Sequence, residues 1–308
     1  MAETRDRSGL LDVLIIGGGP AGLSAALMLG RCRRRVLVCD SGHPRNEASH
    51  AMHGFISRDG MPPAEFLRIA RDELNTYETV AVRTVTATHA ECQDGAFVTT
   101  LETGEQLRSR KLLIATGVRD NVPDLEGIQE LYGRSVFHCP YCDGWEVRDQ
   151  PLAIYGRGER GNGLALELTA WSRDLVLCTD GPPELEAESI DRLRRNGIEV
   201  REDRIARLEG SEGLLQRIVF TSGEAIERRA LFFTTGQSQH SELANRLGCS
   251  INEKGTVMTG KYETTHLRGL FVAGDASRAV QWVVVAAAEG AEAAFAINTD
   301  LIKEDLIS

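Results

Sequence analysis

An α/β fold made of two nucleotide-binding-type domains, the second inserted into the first, is predicted by three observations. A short apolar run that ends in a glycine cluster and leads into a helical segment occurs twice, over residues 12–29 and 152–171. The 31 glycines gather at the ends of such runs rather than in low-complexity tracts, which is how nucleotide-binding α/β proteins use glycine. A length of 308 residues suits about two domains, each able to bury its own core.

In the first unit, residues 12–16 read as a buried strand and residues 23–29 as an Ala/Leu-rich helix. Between them, Gly17-Gly18-Gly19-Pro20-Ala21-Gly22 places G-x-G-x-x-G at a strand-to-helix turn. The first glycine permits the turn, the second lets backbone N–H groups approach a pyrophosphate, and the third lets helix pack on strand. A second strand over 36–39 ends at Asp40, about twenty residues beyond the first glycine, where an acid suits a ribose hydroxyl pair. This is a Rossmann-like dinucleotide site in its full context.

After a strand ending at Ala115-Thr116-Gly117, residues 118–123 carry charge and a proline and mark a crossing. The second unit follows with a strand over 152–155, the loop Gly156-Arg157-Gly158-Glu159-Arg160-Gly161, a helix over 164–171 and a strand over 175–178. Phe232-Phe233-Thr234-Thr235-Gly236 closes it as Ala115-Thr116-Gly117 closed the first. The expected division is 1–118 with 248–308, and an inserted domain over 119–247. An alanine-rich helix over 281–298 is expected near the C-terminus, its partly positive N-terminus just after Asp275.

The inserted domain carries Cys139-Pro140-Tyr141-Cys142-Asp143-Gly144. Two thiols two residues apart can close a small ring and pass two electrons together. A structural zinc site would need a second Cys/His pair, and the sequence offers none, so no metal is expected. Cys32, Cys39, Cys92, Cys178 and Cys249 stand singly and read as inert. His138 precedes Cys139; an imidazolium there would raise the thiolate fraction, and an exposed histidine without a role is the alternative.

A net charge of −10 without a long basic run excludes nucleic acid and anionic membrane as expected partners. The first apolar stretch is too short for a signal h-region or a membrane span, so the expected location is cytoplasmic. In that reducing compartment the C-x-x-C reads as catalytic rather than structural.

GGGPAGLSAA from Gly17, the Ala115-Thr116-Gly117 strand end, CPYCDG from Cys139 and Phe271-Val272-Ala273-Gly274-Asp275-Ala276 together resemble the low-molecular-weight thioredoxin reductases and their flavoprotein relatives. The resemblance implies FAD at the first site, on Gly17, Gly19, Pro20, Ala21, Gly22 and Gly117. It places Asp40 at the adenosine ribose, and Gly274 and Asp275 at the ribityl and pyrophosphate region. Gln281 matches a family glutamine at the flavin. Trp282 stands where the family more often has a small residue, either beside the ring or as a core tryptophan. Cys142 takes the flavin-facing position, Cys139 the one that exchanges with a partner sulfur, and Asp143 the acid/base. A homodimer acting on a thioredoxin-like protein or a small disulfide is implied.

Two departures qualify the resemblance. Where NADPH-dependent members carry arginines for a 2′-phosphate, this chain reads Cys178-Thr179-Asp180-Gly181-Pro182-Pro183. Asp180 disfavours NADPH and leaves NADH, or a ferredoxin-like protein or dithiol, as the electron source; the second glycine loop is otherwise a packing turn. Residues 50–66 look more like the offshoot of dithiol oxidases, although that branch tends to place His at the position of Asp143. The alternatives to a thioredoxin-reductase-like enzyme are therefore an oxygen-dependent dithiol oxidase that makes peroxide, and a flavin-bound redox sensor with little turnover.

Overall fold

The computed structural model describes residues 9–307 and divides the chain into two compact units. The first runs up to Glu47, then over Pro63–Arg119, and resumes at Gln237; the second comprises Ala48–Pro62 and Asp120–Gly236.

The first unit is built on a seven-stranded sheet. Its strands run in the order Val80–Thr84, Val36–Asp40, Leu10–Ile16, Gln106–Ile114, Ala96–Leu101 and Ala87–Gln93, with Leu270–Val272 also paired to Gln106–Ile114. Leu10–Ile16 lies parallel to both neighbours, Val13 opposite Val36 and Leu14 opposite Leu112. Val13 and Ile15 enter one core with the helices Pro20–Arg31 and Val283–Ile307, while Leu14 and Ile16 enter another on the opposite face. Burial on both faces is why these strands read as continuous apolar runs. Pro20–Arg31 begins with proline at its first turn, where the missing N–H costs nothing, and ends on Arg31. Val283–Ile307 packs along it. Gly290 permits the contact, since a Cβ there would fall 2.0 Å from the Ala21 carbonyl oxygen.

The second unit has a parallel five-stranded sheet in the order Glu199–Arg201, Leu175–Cys178, Leu152–Tyr155, Ala230–Phe233 and Val136–Phe137. Gly158–Glu167 and Ala187–Arg195 are its longer helices, and Ile205–Ser211, Leu214–Phe220 and Ala225–Glu227 form an antiparallel sheet beside it. Two α/β units of Rossmann type are thus present, with antiparallel strands that the sequence reading had not placed.

The division differs from the expected one in two respects. The first unit resumes at Gln237 rather than at 248, and residues 48–62 belong with the second unit. The latter follows from local contacts. The Ala48 carbonyl lies so close to Gly133 that a Cβ there would come within 2.5 Å of its oxygen. His53 lies 3.6 Å from Glu146. The expected helix over 281–298 begins at Val283 and extends to Ile307. No described helix is long and apolar enough to cross a membrane.

Candidate active site

In the first glycine loop, each glycine has a separate reason. Gly17 has φ +110°, and a Cβ on it would lie 2.2 Å from the Ala115 carbonyl oxygen. A Cβ on Gly22 would lie 1.9 Å from the Gly17 carbonyl oxygen. Gly19, by contrast, faces open space. It also caps Pro20–Arg31, which has no side-chain cap, so the helix's first N–H groups remain available to a ligand. Asp40 accepts from the Gly18 N–H at 3.2 Å and from Arg71 at 2.5 Å.

Of the remaining first-site residues, Gly274 meets the loop, and Gly117 and Gln281 meet Asp275 beside it. Gly274, at φ +78°, fits against Ala21, where a Cβ would come within 2.9 Å of the alanine methyl. Gly117 lies against Asp275, with a built Cβ 4.0 Å from the aspartate Cβ. Arg45 donates to Asp275 Oδ2 at 2.8 Å and to Gln281 Oε1 at 2.7 Å. Gln281 donates in turn to the carbonyls of Asp275 and Arg278. Trp282 is not a core tryptophan, being 37 % exposed. Thr116 Oγ1 is buried with no hydrogen-bond partner among the described residues. An open second glycine, an uncapped helix start and this orphaned hydroxyl fit a bound dinucleotide. Arg45 and Arg71 were missed by the sequence reading, because neither lies in a motif and both act across the fold.

The second loop repeats the tight geometry. A Cβ on Gly161 would lie 2.7 Å from the Gly156 carbonyl carbon, and Gly158 has φ +56°. Its surroundings are different. Arg157 folds onto the strand end and donates through Nε to the Thr179 carbonyl at 2.5 Å and through Nη2 to that of Asp180. Asp180 accepts from the Ile205 N–H at 2.9 Å and from the Tyr155 hydroxyl at 3.5 Å.

Cys139 and Cys142 are joined as a disulfide, with Cα atoms 5.3 Å apart. Cys139 caps a single helical turn, Pro140–Asp143, closed by Gly144, whose own Cβ would meet the Trp171 ring at 3.0 Å. Asp143 is pushed up to about 7, chiefly by burial and then by the Glu146 charge, against a lowering by His53. His53, from the excursion over 48–62, stands 3.5 Å from Asp59 and 3.6 Å from Glu146. His138 is half-buried rather than exposed. Its Nδ1 lies 3.5 Å from the Tyr132 hydroxyl and 3.7 Å from Asp120 Oδ2, and its ring packs near Phe233. Of the single cysteines, Cys39, Cys178 and Cys249 are buried and Cys32 and Cys92 exposed; burial raises the Cys39 thiol to about 11 and the Cys178 thiol to about 12.

Two glycine-loop units and a redox-capable disulfide beside a neutralisable carboxyl define a flavoprotein-type disulfide oxidoreductase. The chain belongs to the pyridine nucleotide-disulphide oxidoreductase family, which it matches over residues 11–290. It is 32 % identical to thioredoxin reductase tcpT of Claviceps purpurea over 316 residues, covering 96 % of each chain. The putative thioredoxin reductase TrxB of Bacillus anthracis superposes with a TM-score of 0.90 at 34 % identity, covering 96 % of this chain and 99 % of that one. HlmI superposes at 0.91 with 36 % identity, covering 97 % and 95 %. The chain is therefore a thioredoxin-reductase-like oxidoreductase, of a family that uses a flavin and a nicotinamide dinucleotide.

Proposed function

We propose that the chain is an FAD-dependent thiol/disulfide oxidoreductase that passes electrons between flavin and the Cys139/Cys142 pair. Its partner is a thioredoxin-like protein or a small disulfide, and it works as a cytoplasmic homodimer. The Asp143 carboxyl carries this reading: it follows Cys142 directly and titrates near neutral pH, at about 7. A group poised there can give or take the proton that thiol exchange moves, whereas a carboxylate at its ordinary value holds almost none.

Bound to the first unit, FAD supplies two-electron oxidation and reduction of the dithiol. The chain's own residues do the rest. The Cys139 thiolate attacks the partner disulfide, forming a mixed disulfide, and the leaving partner thiolate takes the Asp143 proton. Cys142, as thiolate, then attacks Cys139 Sγ, releasing the second partner sulfur and restoring the Cys139–Cys142 bond. Gly17, Gly19, Pro20, Ala21 and Gly22 would hold the pyrophosphate, Asp40 the adenosine ribose, and Gly117, Gly274, Asp275, Gln281 and Trp282 the flavin half. NADPH is disfavoured as donor by the acidic strand end at Asp180.

Single-cysteine variants test the reading. Cys139→Ser leaves the Cys142 thiolate beside oxidised flavin and should give a long-wavelength charge-transfer band; Cys142→Ser should not. The reverse pattern would exchange the two roles, and a colourless protein that takes up no FAD would end the proposal. Asp143→Asn should slow exchange by about 10²-fold, the usual scale for a general acid. Peroxide made from a dithiol with no other reductant would instead select dithiol oxidation.

A further inference from the structure

Beneath the Gly274–Asp275 turn lies an ionic cluster that the steps above do not use. Glu263, fully buried on the short turn Lys261–Glu263, pairs through Oε1 with Arg278 Nη2. Arg278 Nε stands 2.6 Å from Glu289 Oε1. Glu289 Oε2 accepts the Gly274 N–H at 2.9 Å. Two carboxylates thus share one guanidinium, and Glu263 Oε2 has no hydrogen-bond partner among the described residues. Two buried acids and one base are a costly arrangement unless the geometry serves something.

Its attachments indicate what it serves. Gly274 has φ +78° and is wedged against Ala21 and Ala286, where a Cβ would come within 2.9 and 3.6 Å. The next residue in the helix after Glu289 is Gly290, itself pressed on Ala21. Ala21 belongs to the first glycine fingerprint. Asp275, directly after Gly274, carries the Arg45 contact that leads to Gln281. A side chain that fixes the Gly274 amide therefore fixes where the Asp275 carboxylate stands.

We propose that Glu289 is a positioning residue for flavin binding: it holds the Gly274–Asp275 turn and couples dinucleotide affinity to its own protonation. The inference rests on the first unit being the FAD site. Burial, the largest effect, raises Glu289 to about 7, and Glu263 raises it too, while Arg278 and the Gly274 N–H lower it. Glu292, one turn further along the same helix, also bears on the cluster through Glu263. The first turn of Pro20–Arg31 brings no acid to it. Protonated or ionised, the carboxyl can accept from Gly274, so position survives in both states. A dianionic pyrophosphate favours the neutral state, so binding takes up protons and affinity falls as pH rises through about 7.

The experiment titrates apoprotein with FAD between pH 6 and 8 and follows flavin fluorescence, in wild type, Glu289→Gln and Glu289→Leu. Wild-type affinity should fall roughly twofold to fivefold across that range, for about half a unit to one unit of linked pKa shift. Glu289→Gln keeps an acceptor without a charge and should bind FAD as tightly at pH 8 as at pH 6. Glu289→Leu removes the acceptor and should bind about tenfold more weakly at both. Wild type and Glu289→Gln falling in parallel with pH would overturn the coupling. A folded Glu289→Leu that binds like wild type at pH 6 would overturn the positioning. Wild-type apoprotein taking up no FAD at all would overturn the FAD reading itself, a separate outcome.

Discussion

The two glycine loops share a fingerprint and differ in what surrounds it. In both, the third glycine meets the first so closely that a Cβ would overlap backbone: 1.9 Å at Gly22 and 2.7 Å at Gly161. Around the first loop, the second glycine is open, and Asp40 is steadied by the Gly18 amide and Arg71. Around the second, Arg157 lies across the strand-end carbonyls and Asp180 is bonded to Ile205 and Tyr155. The glycines therefore encode how a strand turns into a helix. What the turn can hold is decided by the side chains that reach it from elsewhere.

The largest effect should come from the tight glycines, where a side chain breaks packing before any ligand binds. Gly22→Val forces a side chain onto the Gly17 carbonyl and should lower the unfolding midpoint by about ten degrees or more, a loss of several kcal/mol. Gly19→Val separates the two roles, because the site is open. Its apoprotein should melt within about two degrees of wild type while its FAD affinity drops roughly 10²-fold, nearly 3 kcal/mol. Equal thermal losses in both variants would break the distinction between a packing glycine and a binding glycine.

Smaller effects probe the acids. Asp40→Ala removes the acceptor for the Gly18 amide and the expected ribose contact, and FAD titration should show a loss of about tenfold, near 1.4 kcal/mol. In the second loop, anaerobic mixing should show slow, poorly saturating flavin bleaching by NADPH, and Asp180→Asn should not rescue it while Arg157 still covers the strand end. Because Asn keeps a carbonyl for the Ile205 amide, this change should cost stability only about 1 kcal/mol or less by chemical denaturation. Rapid, saturable bleaching by micromolar NADPH would erase the contrast between the loops.

A pH series sharpens the same contrast between local and long-range control. Asp143 sits at about 7 in the folded protein against 3.8 as its ordinary value. The folded state therefore holds more protons than the unfolded state across that window, and stability should fall as pH rises from about 4 to 7. Asp143→Asn should flatten that part of the stability profile measured by urea unfolding.

The sequence alone determined the elements whose signal is local. The strands at Leu152–Tyr155 and Leu175–Cys178, the Gly17–Gly22 turn and the Cys139/Cys142 pair are written in consecutive residues, because apolar runs, glycine spacing and ring closure act over a few positions. The sequence motif from Phe271 to Ala276 pointed to a return of the chain to its first unit, but the expected start at 248 lies later than the Gln237 of the structure. Tertiary structure decided the partners. Arg45 meets Asp275 across more than two hundred residues, and Arg71 meets Asp40, at a strand end, from the helix Pro63–Leu74. Glu289 closes on Gly274, and the excursion over 48–62 brings His53 to Glu146. The antiparallel strands over 87–101 and 205–227 likewise needed the pairing itself. Charge and burial depend on what lies nearby in space, and no spacing along the chain reports that.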